Sequence, residues 1–236
     1  MSQSNQRSVV EELFYTLFSQ LPGTESGTQV ALYALSALLS VVACILLAHR
    51  NDLGWWAQIL AVFAGPLVIA MQYDMLFLIY AIPALLVGVF GLWRFSRYSF
   101  QGKFTRQVTR SPLGLSAIIT TVLGIAVLTA LHLGEMLTTG FAFTAGTGTI
   151  WVSYITEAAV LMAFVLVALG IRSGWLLMAL ASAVYVATLF SNNPAFALLF
   201  VWVFMVIASL YAWFMWRVLP RRDAAAQLAG SQVASE

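Results

Sequence analysis

The chain has 236 residues, 61% of them hydrophobic and only 8% charged, with a formal charge of +2. Those proportions exclude an ordinary soluble globule, and so small a charge gives no basis for binding nucleic acid, so the expected surroundings are a lipid bilayer. Crossing about 30 Å of hydrocarbon takes roughly 20 mostly apolar residues per helix, and a backbone in lipid must satisfy its own polar groups, so the composition predicts an all-α polytopic membrane protein.

In chain order, the first element is short. Arg7 precedes a brief apolar run interrupted by Glu11 and Glu12, without a small-residue cleavage pattern, so a cleavable signal is not expected. Val10, Leu13, Phe14, Leu17, Phe18 and Leu21 fall on one helical face and predict an interfacial helix. Seven spans follow, near 29–48, 54–72, 74–95, 113–134, 150–171, 174–191 and 194–217. Weak punctuation at Tyr73-Asp74 and at Asn192-Asn193-Pro194 would let neighbouring spans fuse into a bent hairpin. Residues beyond Pro220 read as a disordered tail.

The eleven basic residues orient these spans. Arg50, then Arg94, Arg97, Lys103, Arg106 and Arg110, then Arg172, then Arg217, Arg221 and Arg222 all fall on one side, and Arg7 alone on the other. The positive-inside rule places that side in the cytoplasm, with the C-terminus inside and the N-terminus outside a bacterial inner membrane.

Gly54-Trp55 opens the second span and Gly174-Trp175 the sixth. Trp55 and Trp93 are 38 residues apart, as are Trp175 and Trp213, so the halves superpose at an offset of 120. Three spans cross the membrane and one linking span returns the chain to its starting side, which makes the two triplets parallel repeats, a recurring transporter plan. The implied units are 1–28, an outer segment; 29–95, the first triplet; 96–149, loop, linking helix and outer loop; 150–217, the second triplet; and 218–236, a cytoplasmic tail.

Gly54-Trp55, Tyr73 and the run Gly88 to Trp93-Arg94 in the first half, with Thr156-Glu157, Arg172, Gly174-Trp175 and the ending Tyr211, Trp213, Trp216 and Arg217 in the second, resemble the PnuC-type vitamin transporters. The resemblance covers about residues 29–217. It implies a 3+1+3 fold related to the SWEET design, and facilitated diffusion of nicotinamide riboside, thiamine or riboflavin by rocking of two three-helix bundles. Where nicotinamide riboside carriers have a Gln and an Asn on the third span, this sequence has Ile79 and Leu86, and Ala61 and Ala181 stand where they have mid-span Asn. The expected cargo is therefore a vitamin-like, nucleoside-like or aromatic solute.

Candidate substrate-binding residues are polar or aromatic groups inside spans. Glu157 leads, because an ionised carboxylate in a span costs several kcal/mol unless it faces water or a partner; snorkelling to the interface is the alternative. Tyr154 and Thr156, with Ser36 and Tyr33, would share a cavity on the repeat axis, or bond to their own helices. Tyr80, Phe90, Trp202, Trp213 and Trp216 offer faces for a flat ring, while Trp93 and Trp216 beside arginines read as interfacial anchors. Gln58, Gln72, Asn192 and Asn193 would bond a ribose or cap helix ends, and Pro66 and Pro83 would kink the first triplet.

His49 and His132 lie on opposite sides, Cys44 is alone, and no nucleophile and base pair, metal-ligand spacing or phosphate loop is visible. No enzyme, cofactor or metal is expected. The partners expected are a small-molecule substrate and the bilayer, and a homo-oligomer is compatible. A non-transporting scaffold or assembly protein is the alternative reading.

Overall fold

The computed structural model describes residues 27–72, 78–100, 103–104, 114–138, 148–190 and 196–233. The expected interfacial helix, the Tyr73-Asp74 turn and Asn192-Asn193 lie outside them. The chain is all-α: α1 (Gly27–Ala48), α2 (Leu53–Ala64), α3 (Pro66–Gln72), α4 (Leu78–Tyr98), α5 (Leu115–Thr138), α6 (Gly148–Ala168), α7 (Ser173–Phe190) and α8 (Phe196–Val233). A two-residue strand pair, Ser99–Phe100 with Lys103–Phe104, closes the end of α4 in a way hydropathy did not suggest. Taking α2 and α3 as one broken rod leaves seven rods. Among the described residues four helical stretches are long and apolar enough to cross a bilayer: Leu78–Arg97, Leu115–Gly134, Trp151–Ala168 and Leu199–Val218.

The second rod breaks because Pro66 lacks a backbone donor and Gly65 leaves the helical region, with φ −118° and ψ −93°. Pro66 then starts α3, where a missing N–H costs nothing. The Ala61 carbonyl at the break accepts from Gly65 N at 3.0 Å and from Ser36 Oγ at 2.7 Å. Pro83, by contrast, sits inside continuous α4.

The expected tail after Pro220 is instead helix, since α8 runs on to Val233. Residues 221–233 hold four Ala, two Gln, one Leu and two Arg, good helix formers, and extending an existing helix needs no new nucleus. Low hydropathy ends the apolar span there without ending the helix.

The repeat is structural as well as sequential. Helices α1 and α6 end at Ala48 and Ala168, and α2 and α7 begin at Leu53 and Ser173, at the same 120-residue offset. Both connections are the same turn. Arg50 N bonds Leu47 O at 2.9 Å, as Gly170 N bonds Val167 O at 2.9 Å; Asn51 N bonds Leu46 O at 3.0 Å, as Ile171 N bonds Leu166 O at 2.8 Å. This double closure is the Schellman cap, which needs a left-handed residue, and Arg50 (φ 58°) and Gly170 (φ 81°) supply it at equivalent positions. Gly54 and Gly174 then let each second helix approach the first: a Cβ at Gly54 would lie 2.9 Å from Ala43 O, and one at Gly174 2.8 Å from Ala163 O. In lipid, such small-residue contacts hold helices together, since burial from water drives nothing there.

Within the triplets α1 packs on α2 and α2 on α4; α6 packs on α7 and α7 on α8. Between them α1 meets α8 and α4 meets α6, so the first helix of each triplet packs on the last helix of the other. Parallel repeats about an axis along the membrane normal require this pairing. Helix α5 packs mainly on α6 and turns Ile119, Val122, Leu123 and Val127 outward, the placement of a linking helix facing lipid.

Candidate functional site

Each triplet is built on a fully buried tryptophan met edge-on by an aromatic from its third helix. Trp55 meets Phe95 at 5.4 Å and 78°, and Trp175 meets Trp216 at 5.6 Å and 85°. Trp216 is thus no interfacial anchor: it is 1% exposed, and its Nε1 donates to Leu47 O across the triplet boundary at 2.9 Å. An indole next to an arginine in sequence looks like an anchor, but Arg217 is on another face of α8. Trp93 does fit that role, being 51% exposed with the Arg97 guanidinium 4.5 Å above its ring.

The arginine-rich end is tied across the boundary at further points. Arg94 Nη2 donates to Leu169 O at 3.4 Å, and Tyr211 Oη shares a 3.0 Å hydrogen bond with His49 Nε2. Leu169 and His49 are equivalent at the 120-residue offset, so each turn is held by the third helix of the opposite triplet. Trp213 belongs to this end too, with Arg172 and Arg217 at 5.6 and 5.9 Å from its ring. Deeper in, Cys44 Sγ lies 3.8 Å from both Met178 Sδ and Met205 Sδ, filling the boundary between α1, α7 and α8 with soft apolar atoms.

On the other side of that plug lies the group around Glu157. Glu157 is partly buried on α6 in the neighbourhood of two phenols: Tyr80 on α4, which packs against the cluster holding Leu161 one turn further along α6, and Tyr185 on α7. Those phenols come from different triplets. Tyr185 hydrogen-bonds Ser153, one turn before Glu157, and its ring meets Trp202 of α8 at 4.5 Å. Four helices, α4, α6, α7 and α8, thus bring a carboxylate, two phenols, a hydroxyl and an indole to one boundary.

The other expected residues are placed differently. Thr156 Oγ1 bonds back to Val152 O and Ser153 O of its own helix, each at 2.8 Å, and Ser36 serves the break in the second rod. Tyr154 stacks on His132 of α5 at 4.8 Å and 25°. The side chains of Tyr33, Gln72, Asn192 and Asn193 lie outside the described set. Sequence reasoning passed over Tyr185 and weighed His132 only as a metal or catalytic group. The argument that selected Tyr80, a hydroxyl within an apolar span, applied equally to Tyr185; nothing local pointed to His132, which gains its partner only when α5 docks on α6.

The fold and the boundary cluster together define a multi-pass membrane protein of two parallel three-helix repeats joined by a linking helix. This is the fold of the vitamin B3 transporter PnuC: its crystal structure matches with a TM-score of 0.59 over 90% of this chain and 88% of that one, at 14% sequence identity. No family model matches the sequence, and no curated protein matches it significantly.

Proposed function

We propose that the chain is a transporter for a vitamin-like or nucleoside-like solute, which it passes between its two triplets by rocking them about the Glu157 boundary. The observation that carries this reading is that Glu157 has phenols from both triplets, Tyr80 and Tyr185, in its neighbourhood. A carboxylate in a span is costly unless it meets water, a partner or a ligand, and a group at a boundary between rocking bodies is exposed to each side in turn. The shared fold with a vitamin B3 transporter supports the class of cargo. Tyr80, Tyr185 and Trp202 provide the flat faces that a heteroaromatic ring requires, and Glu157 and Ser153 the polar contacts.

The tethers at His49, Arg94 and Trp216 close the arginine-rich end, which by the positive-inside rule is the cytoplasmic one, in a bacterial inner membrane. In this reading residues 29–95 and 150–217 are the moving bodies. The solute's own gradient is sufficient to drive the rocking.

A second reading, a membrane scaffold, draws on the dense packing of Cys44, Met178 and Met205 at the boundary. One experiment separates the two. Purified protein is screened by thermal shift against nicotinamide riboside, thiamine and riboflavin, then assayed for their uptake in liposomes. A cargo present at a hundred times its Kd adds about 2.7 kcal/mol to the folded state. The transport reading fails if none of the three binds or moves.

A further inference from the structure

The two most deeply buried polar side chains among the described residues are Ser182 on α7 and Ser209 on α8, both 0% exposed. Neither hydroxyl oxygen has a hydrogen-bond partner among those residues. Other buried hydroxyls, those of Thr121 and Thr156, bond back to their own helices, at 2.7 Å to Ala117 O and 2.8 Å to Val152 O. A hydroxyl sealed in a helix bundle costs free energy until something supplies its missing bond, so a pair of them marks a place for a polar ligand. Along α7, Trp175, Met178, Ser182 and Tyr185 are spaced three or four residues apart and share one face; along α8, Trp202, Met205, Ser209 and Trp216 do so at three, four and seven. The two faces meet at both ends, Tyr185 on Trp202 at 4.5 Å beside the Glu157 group and Trp175 on Trp216 at 5.6 Å at the arginine-rich end. Between these aromatic pairs Met178 and Met205 both reach Cys44 of α1, and the serines stand among them.

We propose that Ser182 and Ser209 bind a polyhydroxyl arm of the solute and make that arm a requirement for cargo. The inference rests on the transport reading above and narrows its substrate class to a flat ring bearing a ribose-like or ribityl-like chain. The ring lies against Tyr185 and Trp202. Ser182 is three residues from Tyr185 and Ser209 seven from Trp202, which puts the hydroxyls about 4.5 and 10.5 Å further along the helix axes, toward the arginine-rich end. A short chain of hydroxylated carbons meets Ser182 first, and Ser209 once the triplets rock and the arm passes Met178 and Met205. Each serine donates one hydrogen bond and can accept others, so it matches a solute hydroxyl in either orientation. A solute without the arm leaves both serines unpaired, and sites built to bond a hydroxyl reject such analogues for that reason. Thiamine, with a single hydroxyl, fits less well than nicotinamide riboside or riboflavin.

The experiment uses the full chain, purified in detergent, and two pairs of probes that share a ring. Riboflavin is paired with lumiflavin, which carries a methyl group in place of the ribityl arm, and nicotinamide riboside with N-methylnicotinamide. Binding of each is titrated calorimetrically to the parent, Ser182→Ala, Ser209→Ala and Thr121→Ala. The parent is expected to prefer the arm-bearing member of at least one pair by about tenfold or more. Ser182→Ala and Ser209→Ala should each cut that preference about fivefold, the effect of one hydrogen bond, by weakening the arm-bearing member alone. Thr121→Ala, which removes a hydroxyl bonded to its own helix, should leave the preference unchanged. Without solute the serine variants should unfold no earlier than the parent, since no bond within the protein is lost. The inference is overturned if they unfold earlier, if the parent binds both members of each pair alike, or if the serine variants keep the parent's preference. If no probe binds at all, the transport reading fails and this inference falls with it; binding of the rings without a serine effect overturns the inference alone.

Discussion

Replacing Gly91 with alanine tests the packing that makes the first triplet a rigid body. Gly91 on α4 lies against the indole of Trp55, and an added Cβ would sit 2.5 Å from both Cε2 and Cε3 of that ring. Carbon atoms prefer about 3.5 to 4.0 Å, so a gap of about 1 Å has to open. Trp55 has no room to supply it, because it is fully buried with Phe95 edge-on to it and Phe164 6.3 Å away. Overpacking of this kind costs about 1 to 3 kcal/mol, against up to about 1 kcal/mol recovered from replacing a helical glycine. Gly91→Ala should therefore lose up to about 2 kcal/mol net and fall about 1 to 3 kcal/mol below a glycine-to-alanine change made in open space. Gly134→Ala is the matched control: it also lies within a helix, and its new Cβ would meet nothing within 4 Å, so it should be neutral or slightly stabilising. Thermal unfolding of both variants in one detergent, followed by tryptophan fluorescence, measures the difference. If Gly91→Ala is as stable as Gly134→Ala, the contact between α4 and Trp55 does not exist as described.

Other consequences follow from the two turns and the tethers. Gly170→Ala places a Cβ on a residue with φ 81° and should cost about 1 to 2 kcal/mol, read as a lower unfolding temperature. Trp216→Phe keeps the ring contact with Trp175 but removes the donor to Leu47 O, so a loss of about 1 kcal/mol is expected in the same assay. Tyr211→Phe releases the turn at His49 and should speed opening of the arginine-rich end; labelling of a cysteine placed at the exposed position of Leu53, next to that turn, in a Cys44→Ser background should become faster, and unchanged labelling would deny the tether a gating role.

Glu157 shows how far a linear reading reaches. Its oddity is legible in sequence, because a lone acidic residue inside an apolar run is conspicuous whatever the fold. Its neighbours are not: Tyr80 and Tyr185 stand 77 and 28 residues away, and no local period links them to it. The tryptophans divide in the same manner. Their equal spacing revealed the repeat, yet spacing alone did not separate Trp216, sealed in the core, from Trp93, half exposed beside Arg97. Pro220 marks a third limit, since a fall in hydropathy ends the membrane span but not the helix, which continues on helix-forming residues.

What the sequence by itself determined was everything governed by distance along the chain: the apolar lengths that span a bilayer, the charge asymmetry, and a 120-residue repeat that reproduces one capped turn hydrogen bond for hydrogen bond. What only the tertiary structure decided was which helices lie side by side, and hence that Glu157 stands between two triplets. The reason is physical. In lipid all the helices are apolar on most faces, so hydrophobicity scarcely distinguishes a lipid-facing surface from a partner-facing one; lateral pairing depends instead on close fits such as Gly54 on Ala43 and Gly91 on Trp55. Those fits shape each triplet, and contacts such as Trp216 Nε1 on Leu47 O, 169 residues apart in the chain, then set the two triplets side by side.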